Sequence, residues 1–219
     1  MLEQVHDALW VAEGETVSFF GFPYPTRSVI ARLERGDLWV WSPVKLAADL
    51  RAEVDGLGPV RHLVSPNKLH HVYLPEWKAA YPEAQLWGPQ STIKKRSDLT
   101  FREALLDSPP PEWGAEIDQA WFRGSFAMEE IVFLHRPSAT AIVADLIQTF
   151  SDHFLREHWG RRRFLARLDG LTPGPGVRAA RMGTIVHRPR AGAPDARQGA
   201  ELELSVRPCG SRRVAALER

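Results

Sequence analysis

Apolar and polar positions alternate with a period of two along the N-terminal part of the chain. Short apolar stretches recur there between turn residues, at residues 9–11, 16–20, 28–33 and 38–41. Such alternation predicts half-buried β-strands, because successive side chains of a strand point to opposite faces of a sheet. The G-D step at residues 36–37 predicts a tight turn, since glycine readily adopts the positive φ that such turns need. We therefore expect an antiparallel meander.

Helical and strand-like segments alternate after this meander. Apolar residues spaced three or four positions apart predict helices over residues 44–54 and 74–81. Short apolar runs at residues 61–64 and 85–87 predict strands. Strands that are separated by helices indicate a layered α/β domain.

A β-hairpin is the clearest single element of the sequence. Two apolar runs, I-V-F-L and A-I-V-A, flank the turn residues 136–139. With a two-residue turn at the centre of this loop, paired residue numbers in the two strands sum to 275, so Glu130 faces Asp145. Residues 147–168 carry Phe and Leu on one side and Arg on the other, which predicts a helix after the hairpin.

The composition changes in the last part of the chain. Residues 172–219 contain no Phe, Trp or Tyr and are rich in Arg, Gly, Pro and Ala. Such a segment has little apolar area to offset the entropy lost on ordering its backbone. We predict a domain over residues 1–171, followed by a divergent and mostly irregular segment over residues 172–219. Within that segment only residues 200–206 alternate as a strand would.

Charge, cysteine content and hydropathy exclude several classes of protein. The 219 residues include 28 Lys and Arg against 27 Asp and Glu, so a net charge of +1 argues against a nucleic-acid-binding surface. The single cysteine, Cys209, excludes an intramolecular disulfide and a cysteine-based zinc cluster. Apolar runs are too short to span a bilayer, and the N-terminus lacks a basic region before an apolar one. We expect a cytoplasmic protein with no membrane partner.

Two neighbouring imidazoles are the first candidate chemistry. The stretch V-R-H-L-V-S-P-N-K-L-H-H runs from a predicted strand into a loop that carries His70 and His71. Loops at strand ends are common ligand sites in α/β proteins. Adjacent imidazoles can reach one metal ion, but such pairs also occur on surfaces, and both interpretations stay open. His62, inside the strand, is predicted to be buried with its ring nitrogens bonded to backbone groups.

Asp145 is the second candidate, at the end of the hairpin. Its expected neighbour Glu130 would place two carboxylates together at one sheet edge. Asp145 is either a ligand or the N-cap of the helix that follows, and the sequence does not decide between these roles. His135 is excluded from the same site because it lies at the far end of the hairpin.

Three motifs taken together resemble a known family over about residues 8–170. They are G-D-L-W-V-W-S-P-V, V-R-H-L-V-S-P-N-K-L-H-H and I-V-F-L-H-R-P-S-A-T-A-I-V-A-D-L. They resemble domain-of-unknown-function family 4336, a branch of the metallo-β-lactamase superfamily. The resemblance implies a four-layer αββα sandwich, here with an atypical or incomplete C-terminal part. Relatives would add a strand that ends in His-Gly, for which His187 is the only substitute.

The resemblance also implies that the metal motif is depleted. The superfamily loop reads T-H-x-H-x-D-H, and the equivalent stretch here is S-P-N-K-L-H-H. Pro66 and Lys68 stand where the first two histidines would be, while His70 and His71 stand at the aspartate and the last histidine. A conventional dinuclear zinc site therefore cannot form.

Two further positions complete this comparison with the superfamily. Asp145 matches the bridging aspartate of the later strand. The histidine that is expected before the hairpin is replaced near Ser125.

Two functions follow from this depleted motif. One is a hydrolase in which His70, His71 and Asp145 hold one Zn, Fe or Mn ion and its bound water attacks a small-molecule substrate of unknown identity. Lys68 would then stabilise an anionic substrate or oxyanion, which makes Lys68 and Asp145 the catalytic candidates. The alternative is a non-catalytic module that has lost the metal and binds a small anion or a protein through the Lys68 loop.

Overall fold

The computed structural model describes residues 1–19, 21–123, 129–146, 152–160, 184–186 and 205–206. The strands are β1 (Leu2–His6), β2 (Leu9–Phe19), β3 (Phe22–Arg32), β4 (Leu38–Trp41), β5 (Val60–Val64), β6 (Gln85–Gly88), β7 (Phe101–Ala104), β8 (Ile117–Phe122), β9 (Glu130–His135), β10 (Thr140–Ile142), β11 (Thr184–Val186) and β12 (Ser205–Val206). The helices are α1 (Ala48–Leu57), α2 (Leu74–Ala80), α3 (Gln90–Lys95) and α4 (Asp152–Phe154), and α4 continues as a π-helical turn over Leu155–Trp159. Within these ranges no helix is long and apolar enough to cross a bilayer.

The first sheet contains the predicted meander. Its strand order is β1-β2-β3-β4-β5-β6-β7, antiparallel from β1 to β4 and parallel from β4 to β7. The expected tight turn before β4 is confirmed, with Gly36 at φ 87°. Because β4 and β5 are parallel, the residues that follow them leave the sheet at the same edge. Ser42 and the loop over residues 65–73 are therefore neighbours.

The second sheet contains the predicted hairpin. Its strand order is β12-β11-β10-β9-β8, and every neighbouring pair is antiparallel. Thr140 pairs with His135 and Ile142 with Phe133, so paired numbers sum to 275 as expected. His135 therefore lies at the turn end of the hairpin, away from Asp145.

The C-terminal segment contributes to this second sheet. β11 pairs with β10, and β12 pairs with β11. The strand expected at residues 200–206 is described only at Ser205–Val206, and β11 is a strand that the irregular pattern of this segment did not predict. Ser125, His187 and residues 161–183 lie outside the described residues, as does the rest of the segment that was expected to be irregular.

Tryptophan dominates the core between the two sheets. The fully buried indoles there belong to Trp39, Trp41, Trp87 and Trp113. The alternate residues Leu38 and Val40 belong to a second cluster between the first sheet and helices α1 and α2. These clusters define a helix layer and two sheet layers in a mixed α/β protein.

A helix is predicted over residues 147–168, of which the structure describes 152–160. This part is helical, but it packs on the β2–β3 hairpin. Trp159 lies 4.7 Å from Phe22, centroid to centroid, and its indole N–H donates to the Pro23 carbonyl. The described residues therefore show three of the four predicted layers.

Two buried histidines lie in or beside the core. His62 is 6% exposed and packs against Trp87 and Trp113, but its Nδ1 has no hydrogen-bond partner among the described residues. The prediction that backbone groups bond both ring nitrogens of His62 is therefore wrong for Nδ1. Burial lowers the pKa of His62 to about 4, against the opposing charges of Asp37 and Glu112. Burial likewise lowers the pKa of His135 to about 4.

These two pKa values predict a loss of stability in acid. Each group ionises near pH 6.5 in the unfolded chain, so protons favour unfolding as the pH falls from about 6.5 to about 4. We expect each histidine to lower the free energy of unfolding by about 3 kcal/mol when the pH reaches about 4. Urea denaturation between pH 7 and pH 4 measures it.

The variant His62→Leu separates the contribution of one core histidine. It should remove about half of the pH-dependent loss that is assigned here to His62 and His135. An identical pH dependence in wild type and His62→Leu would contradict this assignment.

Candidate functional site

Ser42 follows β4 in a strained backbone conformation. Its φ is 49°, in the left-handed region that residues with a Cβ rarely adopt, and Pro43 follows it. The Ser42 N–H donates to the Val64 carbonyl at the end of β5 (2.8 Å). The Ser42 hydroxyl lies 2.6 Å from Nδ1 of His70. The neighbouring parallel strand thus holds this residue where its hydroxyl meets the imidazole.

His70 connects Ser42 to Asp145. Its Nε2 lies 3.2 Å from Oδ2 of Asp145. These side chains are 18% and 6% exposed. The distances fit the tautomer in which Nε2–H donates to the carboxylate and Nδ1 accepts the hydroxyl proton. Ser42, His70 and Asp145 therefore form one hydrogen-bonded chain, called here the polar centre.

Asn67 fixes the loop beneath the polar centre. Its side-chain N–H donates to Oδ2 of Asp145 (2.8 Å), and its Oδ1 accepts the Leu69 N–H (2.8 Å). The Ser65 hydroxyl donates to the Asn67 carbonyl (2.8 Å). Asn67 is 1% exposed, so these bonds are shielded from water. The loop is thereby held in one conformation before any ligand binds.

Glu130 fixes the backbone on the Asp145 side. Its fully buried carboxylate accepts the N–H groups of Ala144 (2.6 Å), Asp145 (2.6 Å) and Leu146 (3.0 Å). Burial raises the pKa of Glu130, while the three backbone hydrogen bonds oppose that rise. The expected proximity of Glu130 and Asp145 is confirmed, but Glu130 binds the strand end. The predicted role of Asp145 as an N-cap depends on residues 147–151, which lie outside the described residues, so that role stays a prediction.

Charge at the polar centre shifts the pKa values of the two adjacent histidines in opposite directions. Burial lowers the pKa of His70, but the charge of Asp145, its hydrogen bond and the charge of Glu130 raise it by more, so the pKa lies above its usual value. The pKa of His71 is lowered, by burial and by the charges of Lys95 and Arg96. The two adjacent histidines thus lie in opposite electrostatic environments.

His71 lies apart from His70 and Asp145. Its Nδ1 is 3.3 Å from Nη1 of Arg96, which also donates to the His71 carbonyl (3.0 Å). Arg96 is bonded in turn to Asp98. Among the described residues, no three His, Cys, Asp or Glu side chains are placed to hold a metal ion. The structure thus brings His70 and Asp145 together and places His71 beside Arg96, so the predicted metal role of the three residues together stays a prediction.

Lys68 is held through its backbone. Its carbonyl accepts a hydrogen bond from Nζ of Lys95 (3.1 Å), and Lys68 is not among the residues that line the adjoining cavity. Its predicted catalytic role with Asp145 stays a prediction.

A cavity of about 290 Å³ adjoins the polar centre. Its lining comprises Val17, Ser18, Tyr24, Pro25, Thr26, Arg27, Trp41, Ser42, Pro43, Leu69, His70, Val72, Tyr73, Ala144 and Asp145. The tip of the β2–β3 hairpin provides one wall, and the polar centre provides another. The remaining surface is largely apolar.

Sequence reasoning missed Ser42 and Asn67. A signal for Ser42 was present, since a polar residue that directly follows a buried strand of a parallel pair stands where ligands usually bind. Nothing comparable marked Asn67, because its role depends on which way its loop folds.

Comparison with known proteins identifies the family. The family described as Domain of unknown function (DUF4336) matches residues 6–155. The chain belongs to this family. A search of curated proteins finds no match. The matched DUF4336 region lies within the domain predicted at residues 1–171, whose C-terminal boundary falls outside the described residues and stays a prediction.

Solved structures of metallo-β-lactamases resemble this DUF4336 protein. The DIM-1 metallo-β-lactamase, from a crystal exposed to ceftazidime, has a TM-score of 0.52 and 12% identity over 81% of this chain and 89% of its own. TMB-1 has a TM-score of 0.49 and 11% identity over 63% of this chain and 66% of its own. Metallo-β-lactamase IND-7 has a TM-score of 0.48 and 12% identity over 68% of this chain and 74% of its own. Sequence identities this low establish only the fold, and the assignment of the fold rests on the match to DIM-1.

The residues of the polar centre do not fit the metal that this fold implies. Both ring nitrogens of His70 are engaged by protein side chains, and a guanidinium faces the ring of His71. A cation so close opposes the binding of a second cation. What the arrangement can do is hold a hydroxyl against an imidazole and move a proton between them.

Proposed function

We propose that this DUF4336 protein binds a small organic molecule in the cavity, without a metal ion. The observation that carries the proposal is the engagement of both His70 nitrogens by Ser42 and Asp145, at a loop position where the superfamily has a metal ligand. In this proposal the polar centre takes the place of the metal ion, because it provides the polar end of an otherwise apolar cavity.

The lining of the cavity favours a particular ligand chemistry. Pockets for small molecules are mostly apolar, with a few polar groups that orient the ligand. Trp41, Leu69 and Val72 offer apolar surface, and the guanidinium of Arg27, which is bonded to Glu13, is the cationic group of the lining. The matching ligand has an apolar body and one accepting group, such as a carbonyl or a carboxylate.

The metal-dependent hydrolase remains a second hypothesis with a defined requirement. It requires His71 to leave Arg96 and turn towards Asp145, because three ligands are the minimum for such a site. The hydrogen bonds of His71 in the present arrangement do not favour it.

Thermal unfolding with 2-heptanone tests the proposal. This ketone has an apolar chain and one carbonyl, and a ligand at one hundred times its Kd adds about 2.7 kcal/mol to the free energy of unfolding. We expect Tm to rise by about 2 to 4 °C for each kcal/mol, equally with and without EDTA. A Tm rise that EDTA abolishes would support the metal hypothesis, and no rise at any ketone concentration would contradict ligand binding.

Two tryptophan variants locate the binding site. Val72→Trp adds a large side chain at a cavity-lining residue that is 54% exposed, and it should abolish the Tm rise. Leu106→Trp is the matched control, at an apolar residue 56% exposed that does not line the cavity. Equal Tm rises in both variants would place the ketone elsewhere.

A further inference from the structure

The Ser42 hydroxyl has the surroundings of an activated nucleophile. Its imidazole partner lies 2.6 Å away on one side and is bonded on the other to a carboxylate that is 6% exposed. A hydroxyl becomes nucleophilic when an adjacent base takes its proton and a third group orients that base. The positive φ of Ser42 adds a second sign, because backbone strain concentrates at functional residues.

A second serine–histidine pair in the same chain shows what is special about the first. The Ser138 hydroxyl also lies 2.6 Å from Nδ1 of a histidine, His135. Nε2 of His135, however, has no hydrogen-bond partner among the described residues, and neither residue lines the cavity. The Ser138 pair therefore lacks the orienting carboxylate and access to a ligand.

We infer that Ser42 is a nucleophile that cleaves small carboxylic esters in the cavity, with His70 as general base and Asp145 orienting His70. This inference rests on the proposed function, because the substrate must enter the cavity proposed there. The apolar lining fits the acyl chain of such an ester. Arg27, in the same lining and paired with Glu13, is the cationic side chain that faces the cavity in which the oxyanion forms.

The reaction uses water and needs no cofactor. Oγ of Ser42 bonds to the ester carbonyl carbon as its proton passes to Nδ1 of His70. The ester C–O bond then breaks, and the alcohol leaves with that proton. Water attacks the acyl carbon and gives a proton to His70, which returns it to Oγ as the carboxylic acid leaves. Ester and water thus yield alcohol and acid.

A fluorophosphonate reagent tests the nucleophile directly, since a serine Oγ that attacks phosphorus displaces fluoride and keeps the label. We expect peptide mass spectrometry of the full chain to find the label on Ser42. Ser42→Gly removes the hydroxyl while allowing the positive φ, so this variant should fold and remain unlabelled. Ser138→Ala, the matched control, should be labelled at the wild-type rate.

Hydrolysis of 4-nitrophenyl butyrate gives the second measurement. Done in a Cys209→Ala background, it excludes attack by the only thiol of the chain. We expect Ser42→Gly to lower kcat/KM by at least about a hundredfold.

The outcomes separate this inference from the proposed function. A Tm rise with 2-heptanone and no label on Ser42 would overturn the nucleophile and leave the ligand-binding proposal standing. A label on another serine, with Ser42→Gly still hydrolysing the ester at the wild-type rate, would also overturn it. Absence of the ketone-induced Tm rise counts against the proposed function itself.

Discussion

Glu130→Ala is expected to lower the free energy of unfolding by about 3 to 5 kcal/mol. The carboxylate of Glu130 is fully buried and accepts three consecutive backbone N–H groups, those of residues 144–146. Removing it leaves these donors without an acceptor, and each buried, unsatisfied donor costs about 1 to 3 kcal/mol. Urea denaturation at pH 7, with unchanged m-values, measures the loss.

The neighbouring residue offers a control for Glu130. Glu129 accepts one hydrogen bond, from the indole N–H of Trp121 (3.1 Å), and it is only partly buried. Glu129→Ala should therefore cost less than about 1.5 kcal/mol. Equal losses at the two positions would show that the three backbone hydrogen bonds do not carry the stability assigned to them.

Asp145→Asn is expected to slow fluorophosphonate labelling of Ser42 by about a thousandfold to ten-thousandfold. Oδ2 of Asp145 accepts N–H groups from both Asn67 and His70. An amide keeps one accepting oxygen for these two donors but carries no negative charge. The positive charge that forms when His70 takes the hydroxyl proton then loses its stabilising partner, so Ser42 is activated less.

Labelling rates, with nitrogen NMR of the protonation state of His70, measure this effect. Asp118→Asn is the control, because Asp118 is an aspartate bonded to Arg136 on the surface, and labelling should proceed at the wild-type rate. Wild-type labelling in Asp145→Asn would show that the carboxylate does not orient the imidazole. A changed charge state of His70 with unchanged labelling would exclude His70 as the base.

The sequence predicted the elements of the fold better than their lengths. Two apolar stretches near residues 9–11 and 16–20 form one strand, β2, because an irregularity between Glu13 and Thr16 lets pairing with β3 continue. The helix predicted from residue 44 begins at Ala48, since the Val44 carbonyl accepts the indole N–H of Trp77 instead of a helical N–H.

The sequence predicted part of the candidate site through the register of the hairpin. The hairpin register brings Glu130 to Asp145, and the strand-end loop brings His70 there. The direction of His71 did not follow, because it depends on Arg96, a residue just past α3 whose position only the tertiary structure shows. The role of Ser42 did not follow either, since its positive φ comes from bonding to the adjacent strand.

Under the proposed function, the residues that would set ligand preference lie on the β2–β3 hairpin, apart from the residues that would carry out the reaction. Its tip, which includes Val17, Tyr24 and Pro25, lines the cavity beyond the irregularity of β2, while the polar centre belongs to other elements. Trp159 holds the hairpin from outside. Substitutions at the tip can therefore reshape the cavity for longer or bulkier molecules while the Ser42, His70 and Asp145 geometry stays the same, so diversification of this protein has a natural place to begin.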